Sequence, residues 1–485
     1  MISPSPSKPA GTTPESKRAA GFFVDIGVLT GAAFLFALSF PSLVSEKGWW
    51  PLAFVALVPV FFVVSRSRWW AAPLYGAWYG FAAYALFNYW LVKFHPLAIF
   101  IVPPIYVVNF FFYFPLLRLS ARLFPRRGYL VQVLVWIAYE LLRTKGFLGY
   151  SYGIMGYSQY LFTPLLGMAD IFGVWGVSAL VVFPSAYLAA AVSRGRKGFR
   201  AFLREHRIDA AAYAGVFVLA LLYGGMSAVD LRDARTWRPA LIQHNVDRWK
   251  GGVRAYRENL DRLTALSNQA LQEKPDIVVW SETAFVPGID WHTRYRENPD
   301  IYALVDELMR FLDGAGIPFV FGNDDGRLEK DRYGVTTRVD YNAAVLYDNG
   351  RIEDIYRKTH LVPFTEHFPY ETIFPRFYQM LKDADTHFWE KGTEYVVFDA
   401  ADVKFSTPIC FEDSFGYISR EFVRRGAEVI VNITNDSWSA SVAAAMQHLG
   451  MSVLRAVENR RSVIRGTNGG MTAVIDPNGR ITQMY

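Results

Sequence analysis

The sequence predicts a polytopic α-helical membrane domain followed by a globular α/β domain. Three observations carry this. The 485 residues are 52% hydrophobic and only 19% charged. Apolar stretches near the length of a membrane helix recur through the first 230 positions. From about residue 238, short apolar runs alternate with amphipathic helical patterns instead. Charge divides in the same way: residues 1–230 hold 19 Lys and Arg against 8 Asp and Glu, and the remainder 31 against 36. The net charge of +6 therefore comes from basic residues between apolar segments. It points away from nucleic acid as a partner.

Residues 1–18, "MISPSPSKPAGTTPESKR", are rich in Pro and Ser, lack apolar periodicity and read as a disordered cytoplasmic N-terminus. Residues 19–230 read as a membrane domain of about seven helices, from apolar stretches at 21–40, 50–64, 69–92, 98–117, 128–142, 167–193 and 210–228. The second is short, a hairpin partner or a tilted span. With a cytoplasmic N-terminus, the inside segments carry Lys8, Lys17, Arg18, Arg66, Arg68, Arg118, Arg122, Arg126, Arg127 and the cluster from Arg194 to Arg207, which adds Arg196, Lys197, Arg200 and Arg204. The outside loops carry only Lys47, Lys93, Arg143 and Lys145. That bias sets the orientation and delivers residue 230 onward to the far side of the membrane. A cleaved signal peptide is the weaker reading of the first stretch, since cleavage would reverse the charge pattern of every later loop.

Residues 236–485 read as an extracytoplasmic α/β domain. "RPALIQHN" predicts a strand, 255–273 an amphipathic helix, "PDIVVW" a buried strand, 301–314 a helix and "IPFVFGN" a strand. Two further strands join at Asp348-Asn349-Gly350, a hairpin signal. "EYVVFDA", "VKFSTPICF", a helix at 417–426, "AEVIVNITND", a helix from about 441 and "GMTAVIDPNGRI" complete the run.

The chain holds one cysteine, Cys410, in "STPICFEDSF". A lone Cys is most often a small buried hydrophobe. Its surroundings argue otherwise. Strand ends at "VVWSE" and "IYRKTHLVPFTEHFP" supply Glu282, Lys358 and Glu366. A thiol attacks carbonyl carbon as thiolate, so it needs a base to take its proton and a cation to favour the anion. The tetrahedral adduct needs a positive or N–H-rich site. Glu, Lys and Cys supply these functions together.

Glu282 in "WSET", Lys358 in "YRKTHLVPF" and Cys410 in "CFED" resemble, in order and context, the Glu-Lys-Cys site of the nitrilase superfamily. The fold class this implies is a polytopic α-helical membrane domain plus an α/β nitrilase-like αββα sandwich. "GYSQYLFTPLLGMADIFGVWGVSAL" and "IQHNVDRWK" narrow the likeness to the apolipoprotein N-acyltransferase family. The resemblance implies catalytic Glu282, Lys358 and Cys410, with Glu366, Glu412, Phe411, Trp249 and Asn342 binding substrate or supporting the site. Trp249 would lie on an arm over the site, the alternative being an ordinary interfacial anchor.

It further implies a phospholipid acyl donor of the phosphatidylethanolamine type, a diacylated apolipoprotein acceptor and a ping-pong thioester cycle. The location implied is the outer face of a bacterial inner membrane, and the protein would act as a monomer. The alternative is a membrane-tethered nitrilase-like amidase using the same triad; a scaffold with a dead domain fits the intact triad poorly.

Three departures stand out. Phe411 replaces the family's usual tyrosine, "FTE" replaces "FGE" before Glu366, and the family's C-terminal eighth helix is not present in this sequence, which stops at "RITQMY". The eight histidines show no ligand spacing such as HExxH, so no metal or other cofactor is expected. "GTNGG" reads as a turn rather than a phosphate loop.

Overall fold

The computed structural model describes residues 14–94, 98–246, 251–330, 334–383 and 387–485. Trp249 lies outside them. The chain forms two compact units, Met1–Phe40, Trp49–Trp136 and Val181–Ala210 in the first, and Pro41–Gly48, Ile137–Leu180 and Ala211–Tyr485 in the second.

Each apolar stretch is helical. The first helix spans Pro14–Leu38, so residues 14–18, expected to be unstructured, are helical. Proline at a first helical position has the right φ and no N–H to waste. The 50–64 stretch resolves into a short 3₁₀ turn, Trp50–Phe54, and a helix, Val58–Arg66. The 69–92 stretch gives Ala71–Phe87 and Leu91–Phe94. Ala98–Leu123, Gly128–Leu142, Ala169–Ser193 and Arg207–Met226 follow. Among the described residues, four helices are long and apolar enough to cross a membrane: Ala20–Leu38, Phe100–Leu123, Ala169–Ser193 and Arg207–Met226. Trp50–Arg66 and Gly128–Leu142 are apolar but shorter.

Within the first unit, small residues let two helix backbones meet, as expected where no hydrophobic effect drives apolar helices together. A Cβ at Gly76 would lie 2.0 Å from the Phe110 carbonyl oxygen, and one at Gly80 2.4 Å from that of Tyr106. Tyr84, one turn on, stacks on Tyr106 with ring centroids 3.4 Å apart.

The second unit holds two sheets. One runs β1 (Pro239–Ile242), β2 (Ile277–Trp280), β3 (Phe319–Lys330), β4 (Thr336–Asp348) and β5 (Arg351–Arg357) in that order. The other comprises β6 (Val397–Ala400), β7 (Val403–Ser406), β8 (Val429–Thr434), β9 (Ser462–Thr467), β10 (Ala473–Ile475) and β11 (Ile481–Met484), ordered β11-β10-β9-β8-β7-β6. β1, β2 and β3 are parallel, as are β7, β8 and β9; the outer pairs are antiparallel. The sheets face each other, with Gly466 of β9 opposite Val279 of β2, where an added Cβ would lie 3.2 Å from the valine.

Alternation along β2 explains the layering. Val278 and Trp280 pack outward with Leu260, Leu263, Leu304 and Leu308 of helices Val253–Leu271 and Pro299–Ala315. The other sheet is covered by Gly416–Arg424 and by Val442–Asn459, whose residues from Ala443 to Val457 are all buried. Two helix layers around two sheets make a nitrilase-like αββα sandwich.

β9 escaped the sequence reading because a charged Arg465 interrupts an otherwise apolar strand. Helix Ala169–Ser193 also breaks at Gly173, where φ is 61°. The restarted helix is capped from elsewhere in the second unit, Glu458 Oε1 accepting from the Val174 N–H at 3.0 Å.

Candidate active site

The site is built where strands end. Glu282 follows β2, Lys358 follows β5, and Cys410 opens a single 3₁₀ turn, Cys410–Ser414, shortly after β7. A strand end is where backbone hydrogen bonding stops and side chains become free to converge. Lys358 is fully buried, its Nζ 3.1 Å from Glu282 Oε1 and 2.9 Å from Glu366 Oε1. Asn342, on β4 beside β5, donates from Nδ2 to Glu282 Oε1 at 3.0 Å. Its carbonyl accepts the Lys358 N–H at 2.8 Å, so one residue fixes both partners.

Burial alone would lower the Lys358 pKa, but the carboxylates of Glu282 and Glu366, and then the Cys410 sulfur, raise it well above the ordinary lysine value. The ammonium is therefore held charged. Cys410, 8% exposed, has its thiol pushed well up, first by burial and then by Glu282, while Lys358 pulls it down and Asp436 adds to the rise. Such a thiol ionises when its proton has somewhere to go, which is the role a neighbouring carboxylate fills. Its backbone φ of 49° is unusual for a residue with a Cβ. Strain of this kind, on the order of 1–3 kcal/mol, persists only where the surroundings over-determine it.

Glu412 supplies much of that determination. It is fully buried. Oε1 accepts from the Thr359 and His360 N–H groups at 2.7 and 3.0 Å and from the Thr359 and Tyr356 hydroxyls at 2.8 and 2.7 Å. Oε2 accepts from the Ile409 N–H at 2.8 Å and the Tyr356 hydroxyl at 2.9 Å. One carboxylate thus ties the segment carrying Lys358 to the turn carrying Cys410.

Glu366 is fixed in turn by Val362, whose N–H donates to Oε2 at 2.8 Å. The "FTE" turn needs no glycine at Thr365, because the left-handed residue is Phe364, at φ 67°. The Phe411 ring packs edge-on against Phe415 at 5.0 Å and lies 5.9 Å from His360. Four of the expected residues, Glu282, Lys358, Glu366 and Asn342, are linked by hydrogen bonds; Glu412 holds the neighbouring backbone, and Cys410 is electrostatically coupled to Glu282 and Lys358.

Residues flanking Glu366 in sequence, Phe364 and Phe368, line a cavity of about 570 Å³ with Phe147, Leu148, Tyr370, Phe374 and Phe377. Sequence reasoning did not find it: Phe147 comes from a distant loop, and its ring meets those of Phe364 and Tyr370 at 5.3 and 5.5 Å. Asp413, Asp436, His448 and Arg465, buried behind the turn, were missed too. No group of three or more His, Cys, Asp or Glu suited to a metal occurs among the described residues.

Residues 32–187 match the apolipoprotein N-acyltransferase N-terminal domain, and residues 240–484 match the carbon-nitrogen hydrolase domain. Apolipoprotein N-acyltransferase 1 of Treponema denticola is 44% identical over 470 residues, covering 93% of this chain and 86% of the relative. The protein of the same name from Treponema pallidum is 44% identical, covering 93% and 85%. A variant of the Nesterenkonia AN1 amidase, from the nitrilase superfamily, is 18% identical with a TM-score of 0.36, over 51% of this chain and 86% of that one.

Proposed function

Since the chain belongs to the apolipoprotein N-acyltransferase family, and is therefore a membrane acyltransferase of lipoprotein biosynthesis, we propose that it works through a thioester on Cys410. Glu282 takes the Cys410 proton, and the sulfur attacks the sn-1 ester carbonyl of a phosphatidylethanolamine-like donor. Lys358 and the Phe411 N–H stabilise the oxyanion. Glu282 returns the proton to the departing glycerol oxygen, releasing a lysophospholipid and leaving the acyl group on sulfur. The α-amine of an S-diacylglyceryl cysteine then attacks this thioester, Glu282 accepts the amine proton, and Cys410 leaves as thiolate and is reprotonated. Bonds and protons balance over the two halves.

The observation that carries this reading is the buried Glu282–Lys358–Glu366 ion cluster, with Asn342 on the same carboxylate, electrostatically coupled to the chain's single thiol. Glu366 orients Lys358, and Glu412 orients both Lys358 and Cys410. Trp249 is assigned to substrate binding on the resemblance alone. The phenylalanine-lined cavity suits an acyl chain, and an apolar site also restricts the water that would hydrolyse a thioester.

Residues 19–230 would cross a bacterial inner membrane about seven times, placing residues 236–485 on its outer face, and the protein would act as a monomer. The decisive experiment is intact mass of the purified protein after incubation with a phospholipid of defined sn-1 chain, then with a diacylglyceryl-cysteine peptide. A one-acyl increase that requires Cys410 and moves to the peptide amine supports the reading. A folded protein that forms no adduct, or passes the acyl group to water alone, refutes it.

A further inference from the structure

The nucleophile turn carries a second carboxylate, Asp413, which the acyl-transfer steps do not use. Asp413 is 1% exposed. Its Oδ1 lies 2.7 Å from His448 Nε2, and Oδ2 accepts from Arg465 Nη1 at 2.9 Å and from the Ser452 hydroxyl. On its other side His448 Nδ1 lies 2.8 Å from Asp436 Oδ1, and Arg465 Nη2 donates to Asp436 Oδ2 at 2.6 Å. The four groups close a ring drawn from the turn, the end of β8, β9 and helix Val442–Asn459. Each imidazole nitrogen faces a carboxylate oxygen, which accepts and does not donate, so the doubly protonated cation is the form that serves both carboxylates; Nδ1 also lies 2.7 Å from Arg465 Nη2, a donor that shares the Asp436 carboxylate with it. Two anions and two cations sum to zero, the condition under which buried charge is tolerated.

The ring grips the nucleophile's backbone. Arg465 Nη1 also donates to Asn432 Oδ1 at 2.8 Å, and Asn432 Nδ2 reaches the carbonyls of Pro408 and Cys410 at 3.0 and 3.4 Å. Arg455 donates to the Asp413 carbonyl at 3.3 Å. The charged and titratable groups facing His448 are Asp413, Asp436 and Arg465, with the Tyr152 ring 6.2 Å away and Arg455 farther along its own helix. Cys410 is coupled to Asp436 and to Arg465, which brings the sulfur within the ring's field.

We propose that the Asp413–His448–Asp436–Arg465 ring is a positioning device for Cys410, holding its left-handed turn and keeping the charge behind the sulfur at zero so that a thiolate can form. It rests on Cys410 being the nucleophile. The carboxylates outweigh burial and Arg465, setting His448 to a pKa of about 9, so the ring stays neutral through neutral pH.

The test is the rate at which iodoacetamide alkylates Cys410 across pH, in intact protein in detergent. His448→Gln leaves the ring at −1, so the profile should move up by about one pH unit, with roughly tenfold slower alkylation near neutrality. Asp436→Asn leaves it at +1 and should move the profile the opposite way. The double variant is neutral and should return most of the way to wild type. A ring that only stabilises the fold gives no dependence on charge sign. Equal shifts in both single variants, no shift, or failure of all three to fold would therefore overturn the proposal. Cys410→Ala in the phospholipid acylation assay separates the two levels. Retained acylation removes the nucleophile reading, whereas lost acylation with sign-independent alkylation removes only the ring's role.

Discussion

Glu412→Gln is the most informative single change, because its cost can be worked atom by atom. The carboxylate accepts backbone N–H groups from Thr359 and His360 on Oε1 and from Ile409 on Oε2, with the Tyr356 hydroxyl on both. A glutamine must present –NH₂ at one end. The least costly choice keeps the carbonyl toward Thr359 and His360 and turns the amide toward Ile409, leaving that N–H facing a donor while Tyr356 rotates. An orphaned buried donor costs about 1–3 kcal/mol, and loss of charge from the remaining hydrogen bonds adds to it, for roughly 2–5 kcal/mol in all.

Glu412→Ala orphans all three N–H groups, roughly 3–9 kcal/mol, against a whole-fold stability on the order of 5–15 kcal/mol. The alanine variant should therefore fail to accumulate as folded protein. The glutamine variant should fold with a lowered thermal midpoint in detergent. Because the orphaned N–H belongs to the residue before Cys410, thioester formation should fall at temperatures where the protein is fully folded. A glutamine variant with unchanged midpoint and acylation rate would refute the claim that this carboxylate holds the two segments together.

Further tests address other groups. Lys358→Ala should slow thioester formation by orders of magnitude, from loss of roughly 3 kcal/mol or more of oxyanion stabilisation; near-normal acylation would remove Lys358 from the chemistry. Asn342→Leu removes the donor to Glu282 without removing the base, and single-turnover acylation should drop while phospholipid affinity holds; a change confined to affinity would argue against this assignment. His448 has a folded pKa raised from 6.5 to about 9. Its stabilisation is thus full below 6.5 and lost as pH rises through 9, about 3 kcal/mol between the limits. Unfolding followed from pH 6 to 10 should show that loss in wild type and a flatter curve in His448→Gln.

The residues legible in the sequence were those whose placement breaks a local rule. Glu282, Lys358 and Cys410 end runs that should bury only apolar groups, and a polar residue there signals itself. Glu366 was visible in the same way, though its supporting role came from likeness, and Asn342 was reached only through likeness, since nothing local distinguishes a buried asparagine in mid-strand. His448 and Arg465 carried no signal: one lies in a helix buried all round, the other in a strand its charge disguised. Their meaning depends on Asp413 and Asp436, distant in sequence and brought near only by β8 and β9. The break at Gly173 was hidden because hydropathy is continuous across it.

The ring behind Cys410 also bears on how the protein comes into being. Its members arrive from four separate pieces of chain, so no partial intermediate lacking β9 or helix Val442–Asn459 can balance the charges. On the proposal above, a fast-reacting Cys410 thus reports that the nucleophile turn, β8, β9 and helix Val442–Asn459 have closed on one another.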